Sequence, residues 1–146
     1  MSDPLYKKPL LRLAADAAGA GRLTVPCATG VAHNPACGDK VTVDLVLEDG
    51  RIKAIALEAK ACVLTQASAS ILGADATGLN RKEIAALSRA VAAMLSEKRN
   101  PPPAPFDVYR HFDGVAEHGA RHRCVLLPIE AVLAAFDGSQ SAENNP

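Results

Sequence analysis

The sequence predicts an α+β domain in which a small antiparallel sheet carries helices packed on one face. Three observations carry that expectation. Strand-like alternation is confined to the first half of the chain, helical periodicity dominates the second, and Asp49-Gly50, a strong turn signal, stands between two alternating runs. The 146 residues suit one domain rather than two. Apolar residues make up 49%, enough for a packed core and too many for wholesale disorder. Aromatics are only 3% and Trp is absent, so Leu, Val, Ile and Ala must build that core.

Each element has its own signal. Asp3-Pro4 offers an N-cap followed by proline at the first helical position. Leu5, Tyr6, Leu10, Leu13 and Ala14 then recur near helical spacing until Gly19-Ala20-Gly21, with Pro9 kinking or delaying the start. Residues 22–36 hold Pro26, Gly30 and Pro35 among short β-branched stretches and read as an edge strand leading into a loop. Val41, Val43, Leu45 and Leu47 alternate with Thr42, Asp44, Val46 and Glu48, the period of a strand with one buried face; Asp49-Gly50 turns the chain and Ile52–Glu58 returns it. Cys62 to Leu72 reads as a helix of small residues, Ala67-Ser68-Ala69-Ser70, closed by Gly73 and placed centrally because small side chains let another backbone come close. Asn80 caps a further helix with a stripe of Ile84, Leu87, Val91, Met94 and Leu95, ended by Lys98 to Pro103. Residues 101–123, rich in Pro, His and charge, hold one short helix near Phe106–Phe112. Pro128 opens a last helix through Phe136, with Ile129, Val132, Leu133 and Phe136 as its core face. The domain is expected to span 1–136, and the polar tail 137–146 to be disordered.

Sixteen basic and sixteen acidic residues leave no net charge, which argues against a nucleic-acid partner. No apolar run approaches the roughly 18 residues of a membrane span. The charged stretch Met1 to Pro9 lacks the hydrophobic segment of a signal peptide. The expected location is cytoplasmic, where cysteines stay reduced.

Four cysteines stand at Cys27, Cys37, Cys62 and Cys124. Taken singly, each reads more readily as a small buried apolar side chain than as a reactive one. Placed on the predicted elements, two of them converge. Cys37 lies just before the hairpin and Cys62 just after it, so 25 positions of sequence collapse to neighbouring thiols. Cys124 precedes the last helix, and both Cys62 and Cys124 lie near helix N-termini, where the dipole favours a thiolate. Asp39, two residues beyond Cys37, points to the same side of an extended chain. Three thiolates and a carboxylate suit tetrahedral zinc. Asp39 reads equally as a turn or strand-start residue. His33 and His122 are alternative donors that read more readily as solvent-facing, His111 and His118 as surface residues, and Cys27 as a half-buried strand residue.

The segments Asn34-Pro35-Ala36-Cys37-Gly38-Asp39 and Ala61-Cys62, with Gln66-Ala67-Ser68-Ala69-Ser70 behind, and Cys124 before the last helix resemble the IscU/NifU N-terminal superfamily of iron–sulfur cluster assembly proteins. The resemblance runs from about Leu5 to Phe136 and implies an IscU/SufU-like fold. Cys62 and Cys124 are 62 positions apart. That is longer than in classical IscU scaffolds by about twenty residues, an insertion placed here at about 100–121. Arg123 stands where scaffolds carry His, and Arg121 stands three residues before the cysteine; both are similar to the SufU branch. Two segments depart from the family pattern, Ala17 to Arg22 and His118-Gly119-Ala120-Arg121.

The resemblance implies that Cys37, Asp39, Cys62 and Cys124 ligate Zn2+. It further implies sulfur acceptance, as a persulfide, from a pyridoxal-phosphate cysteine desulfurase, with downstream Fe–S assembly proteins as further partners, in the manner of a zinc-dependent sulfurtransferase. Cys37 and Cys124, both expected in loops, are the candidate acceptors, with Cys37 favoured by the SufU likeness; Arg121 reads equally as a charge that steers a persulfide or docks a partner carboxylate and as a solvated one. Three alternatives stay open: an IscU-like scaffold assembling a transient [2Fe-2S] cluster on the same cysteines, an inert zinc-stabilised interaction module, and a Cys–His hydrolase or transferase pairing Cys124 or Cys37 with His122 or His33. The last lacks any oxyanion-hole motif.

Overall fold

In a computed structural model, which describes residues 6–26 and 28–143, the two alternating runs pair as the expected hairpin. The Asp3-Pro4 cap and Cys27 lie outside the described residues. Strands β1 (Ala28–Asn34), β2 (Asp39–Glu48) and β3 (Arg51–Lys60) form one antiparallel sheet in the order β1-β2-β3. Asp49 and Gly50 both take positive φ, 55° and 75°, the two-residue turn that matches strand twist. Strand β1 is an edge strand, joined to β2 by a turn over residues 35–38.

Val41, Val43 and Leu45 are fully buried on one face, as the alternation predicts. The opposite face is not simply solvated. Asp44 is also fully buried, because the segment after the first helix folds over it: Arg22 donates to both carboxylate oxygens (2.6 and 3.1 Å), and the Leu23 N–H and the Thr29 hydroxyl complete its shell.

Helix α1 (Lys8–Asp16) starts with Pro9 in its first turn and ends at Ala17 in the left-handed conformation; the proline delays the helix rather than kinking it. In α2 (Val63–Asp75) the small residues Ala67 to Ser70 are buried, so the helix is central as expected. Gly73 does not close it. It lies inside the helix, where a Cβ would fall 1.9 Å from the Ala18 carbonyl oxygen, so glycine permits the chain after α1 to cross α2. Helix α3 (Arg81–Glu97) has the expected Asn80 cap, completed into a capping box by Glu83, and buries all five stripe residues.

In the last third of the chain the short helix expected near Phe106–Phe112 is present, and the expected start of the last helix fails. The insertion is a core-building element: residues Phe106–Glu117 form 3-10 turns that bury Phe106, Tyr109, Phe112 and Val115. Three of the chain's five aromatic residues sit here, and they fill space that the aliphatic elements leave. Helix α4 (His122–Glu143) begins six residues before Pro128 and holds that proline in its interior. It also continues where the tail was expected to be disordered, and Asp137 pairs with Arg81 at 2.8 Å. An interior proline is tolerable because the carbonyl it leaves without an N–H, that of Cys124, receives the Thr65 hydroxyl at 2.9 Å instead. Helix α4 packs on β1 and β2, and α2 on β3, placing the helices on one face. Among the described residues no helix is long and apolar enough to cross a membrane.

Candidate metal centre

One end of the sheet gathers the chemistry. The turn before β2 is held by Asn34, whose carbonyl accepts the N–H groups of Cys37 (3.3 Å) and Gly38 (2.9 Å) and whose side-chain oxygen accepts that of Ala36 (3.2 Å). Gly38 takes φ 75°, so the chain reverses directly behind Cys37 and leaves that thiol exposed. Asp39, the first residue of β2, is buried. Its Oδ1 accepts the Cys62 N–H at 3.2 Å and its Oδ2 the Thr65 hydroxyl at 3.1 Å. Cys62 is the N-cap residue of α2, half-buried, with its Sγ 3.5 Å from Thr65 Oγ1. Cys124 is buried in the first turn of α4, not in a loop as its sequence position suggested. The early start of α4 is the reason.

Cys37 Sγ, Cys124 Sγ and a carboxylate oxygen of Asp39 lie within 4.8 Å of one another. Burial, then the adjoining Cys62, Cys37 and Asp39, push the Cys124 thiol up to about 12. Three groups that ionise to anions, Cys37, Asp39 and Cys124, therefore share one small volume, with Cys62 beside it. The Arg121 guanidinium stands beside Cys124, and that thiol raises the arginine's own pKa.

This donor set could hold a metal ion. Tetrahedral Zn–S bonds of about 2.3 Å put donor atoms ~3.8 Å apart, a spacing that falls inside the 4.8 Å bounding Cys37, Asp39 and Cys124. Cys62 stands at its rim, tied to it through Asp39 and Thr65. The other proposed donors stay outside. His33 is exposed on β1, where its carbonyl accepts from Arg123 at 3.2 Å. His122 directs its ring Nε2 to the Ala116 carbonyl at 3.0 Å. Thr65, which touches Asp39, Cys62 and Cys124, was not singled out from sequence. Its signal is its spacing: three residues after Cys62 on a helix, it lies on the same face.

The chain matches the family described as NifU-like N terminal domain over residues 5–119. Two curated relatives, both named iron-sulfur cluster assembly scaffold protein IscU, show the same likeness. The one from Streptococcus pyogenes is 26% identical over 112 residues, 77% of this chain and 70% of the relative. The one from Thermotoga maritima is 28% identical over 132 residues, 90% and 92%. Among solved structures, a nitrogen-fixing NifU-like protein (N-terminal) from Brucella abortus superposes with a TM-score of 0.89 at 33% identity, covering 95% of this chain and 96% of that one. A putative iron-sulfur cluster assembly scaffold protein for the SUF system from Fervidobacterium islandicum shares the fold, with a TM-score of 0.82 at 20% identity over 93% and 99%.

Proposed function

The chain belongs to the family of NifU-like N-terminal domains, and from that premise we propose that it serves iron–sulfur cluster assembly as a zinc-holding sulfur acceptor. Its donor would be a pyridoxal-phosphate cysteine desulfurase, and its products would pass to downstream Fe–S assembly proteins. The observation that carries this reading is the convergence of Cys37, Asp39 and Cys124, with Cys62 tied in through the Asp39 carboxylate. A cytoplasmic location is part of this reading, because a reducing compartment would keep these thiols free to bind metal.

Bound through Cys37, Asp39, Cys62 and Cys124, zinc would keep the thiols ionised at neutral pH. The ligands differ in freedom. Cys124 is buried in a helix, Cys62 caps another, and Asp39 has both oxygens engaged. Cys37 alone is exposed on a glycine-flanked turn, so it can swing outward without disturbing an element. Its thiolate attacks the terminal sulfur of a persulfide on the donor's cysteine. The donor's S–S bond breaks as the new one forms on Cys37, and the donor's cysteine departs as a thiolate. Arg121, beside Cys124, places a positive charge where the persulfide's negative charge arrives. Arg123 before Cys124, Arg121, and an insertion with its own buried aromatic residues support the SufU-like form of this activity.

The names of the two curated relatives favour a second reading, in which the same residues build a [2Fe-2S] cluster as cargo. An inert zinc module is disfavoured, because a purely structural site would not leave Cys37 exposed. Anaerobic purification with metal analysis and mass spectrometry separates these readings. A colourless protein with one zinc per chain, acquiring a persulfide on Cys37 from a desulfurase and cysteine, is the expected result, and Cys37→Ala abolishes stimulation of the desulfurase. A stable red-brown chromophore with persulfide on Cys124 alone would move the protein to the scaffold reading.

A further inference from the structure

One buried hydroxyl faces two oxygen acceptors, with the Cys62 Sγ 3.5 Å away as a third polar neighbour. Thr65 is fully buried, and its Oγ1 lies 3.1 Å from Asp39 Oδ2 and 2.9 Å from the Cys124 carbonyl oxygen. A hydroxyl carries a single proton, and a carboxylate and a carbonyl can only accept it. Thr65 therefore satisfies one of them at a time. The competing acceptor is created by Pro128. In a helix the Cys124 carbonyl would take the N–H of residue 128, and proline has none. The next carbonyl, of Val125, also takes a hydroxyl from α2, that of Ser68 at 2.7 Å. Asp39 is the other acceptor: the Cys62 N–H holds Oδ1, and among the described residues Thr65 is the donor to Oδ2.

Resting on the zinc-holding reading above, we propose that Thr65 is a positioning residue for Asp39 and that Pro128, by competing for its proton, keeps Asp39 an exchangeable ligand. While Thr65 donates to Asp39, both carboxylate oxygens are fixed and the remaining lone pairs stay aimed at the metal. While it donates to the Cys124 carbonyl, Oδ2 is unsupported and the carboxylate is free to turn away. A donor beyond the ligand sphere of this kind typically sets metal affinity by about 10- to 100-fold. An exchangeable carboxylate suits a site that must open to receive sulfur.

The test is a double-mutant cycle on zinc affinity, read by competition with a chromophoric chelator and by the visible spectrum of the cobalt-loaded protein. Thr65→Val is expected to weaken zinc binding by about 10- to 100-fold, and Thr65→Ser to restore it. Pro128→Ala returns an N–H to the Cys124 carbonyl and frees the Thr65 proton. It is expected to tighten zinc binding severalfold, and to lose that effect when Thr65 is Val. An equal effect of Pro128→Ala in both backgrounds, or a Thr65→Val protein that binds zinc like wild type, overturns the proposal. If Thr65→Val does not fold, Pro128→Ala decides alone: unchanged or weaker zinc binding overturns it. A wild-type protein that takes up no zinc would instead overturn the zinc-holding reading, and this inference with it.

Discussion

At Gly30 the backbone of the sheet lies directly against the helix bearing Cys124, and adding one methyl group there should disturb both stability and the metal centre. A Cβ on Gly30 would lie 2.2 Å from the Ala135 backbone nitrogen, 2.6 Å from the Ala131 carbonyl oxygen and 2.7 Å from the Ala134 carbonyl carbon. All three are backbone atoms of α4, so no side chain can rotate out of the way. Ordinary carbon contacts need about 3.5 Å, so the helix must retreat by about 1 Å. Overpacking of this kind costs about 1–3 kcal/mol, and a backbone-on-backbone clash belongs at the upper end. For a domain of this size about 3 kcal/mol corresponds to a fall in Tm of roughly 6–12 °C. Cys124 rides on the same helix, so the retreat also widens its separation from Cys37 and Asp39. Thermal unfolding of metal-free Gly30→Ala, with zinc affinity measured in parallel, checks both consequences. A variant with wild-type Tm and wild-type zinc affinity would refute the seating of α4 on β1, and with it the account of how Cys124 reaches the site.

Three further outcomes follow from other parts of the molecule. Asp39→Cys should hold zinc more tightly and accept sulfur more slowly, because a fourth thiolate exchanges less readily than a carboxylate; equal acceptance rates in a persulfide assay would remove Asp39 as the source of lability. The Arg22 hydrogen bonds hold the Asp44 carboxyl down at about 2, below its ordinary 3.8. Its stabilisation, of order 2 kcal/mol, is therefore fully present above about pH 4 and lost as pH falls towards 2. Asp44→Asn should lower stability at neutral pH and flatten that acid limb, and a pH series of urea midpoints with parallel acid limbs would contradict the assignment. In the buried chain of hydroxyls, Ser68 donates to the Val125 carbonyl at 2.7 Å, so Tyr109, 2.9 Å away, must donate to Ser68. Tyr109→Phe should cost about 1 kcal/mol with zinc affinity intact, and an unchanged urea midpoint would show that this bond does not anchor the insertion.

The hairpin, the α3 stripe and the Asn80 cap were legible in the sequence because each is written within a few residues: a period of two, a two-residue turn, a period of 3.6, and a side chain reaching its own helix end. The hairpin sets Asp39 beside the Cys62 backbone for the same reason, since it returns the chain to its origin. The start of α4 was not. Pro128 is a strong local signal for a helix beginning, and only donors on another helix, Thr65 and Ser68, make six helical residues before it tolerable. That alone moves Cys124 from a loop into a buried turn. Gly73 and Gly30 likewise look like local breakers, yet their positions are required by backbones that arrive from far away in sequence. The burial of Asp44 under Arg22 and of the aromatic insertion against the helices are decided in the same way. Local propensity marked which elements exist, and the resemblance named the residues that could hold a metal. The tertiary structure decided where those elements end, which polar groups exchange protons, and which cysteine is free to move, because those depend on hydrogen-bond partners and packing surfaces that the linear order of residues does not bring together.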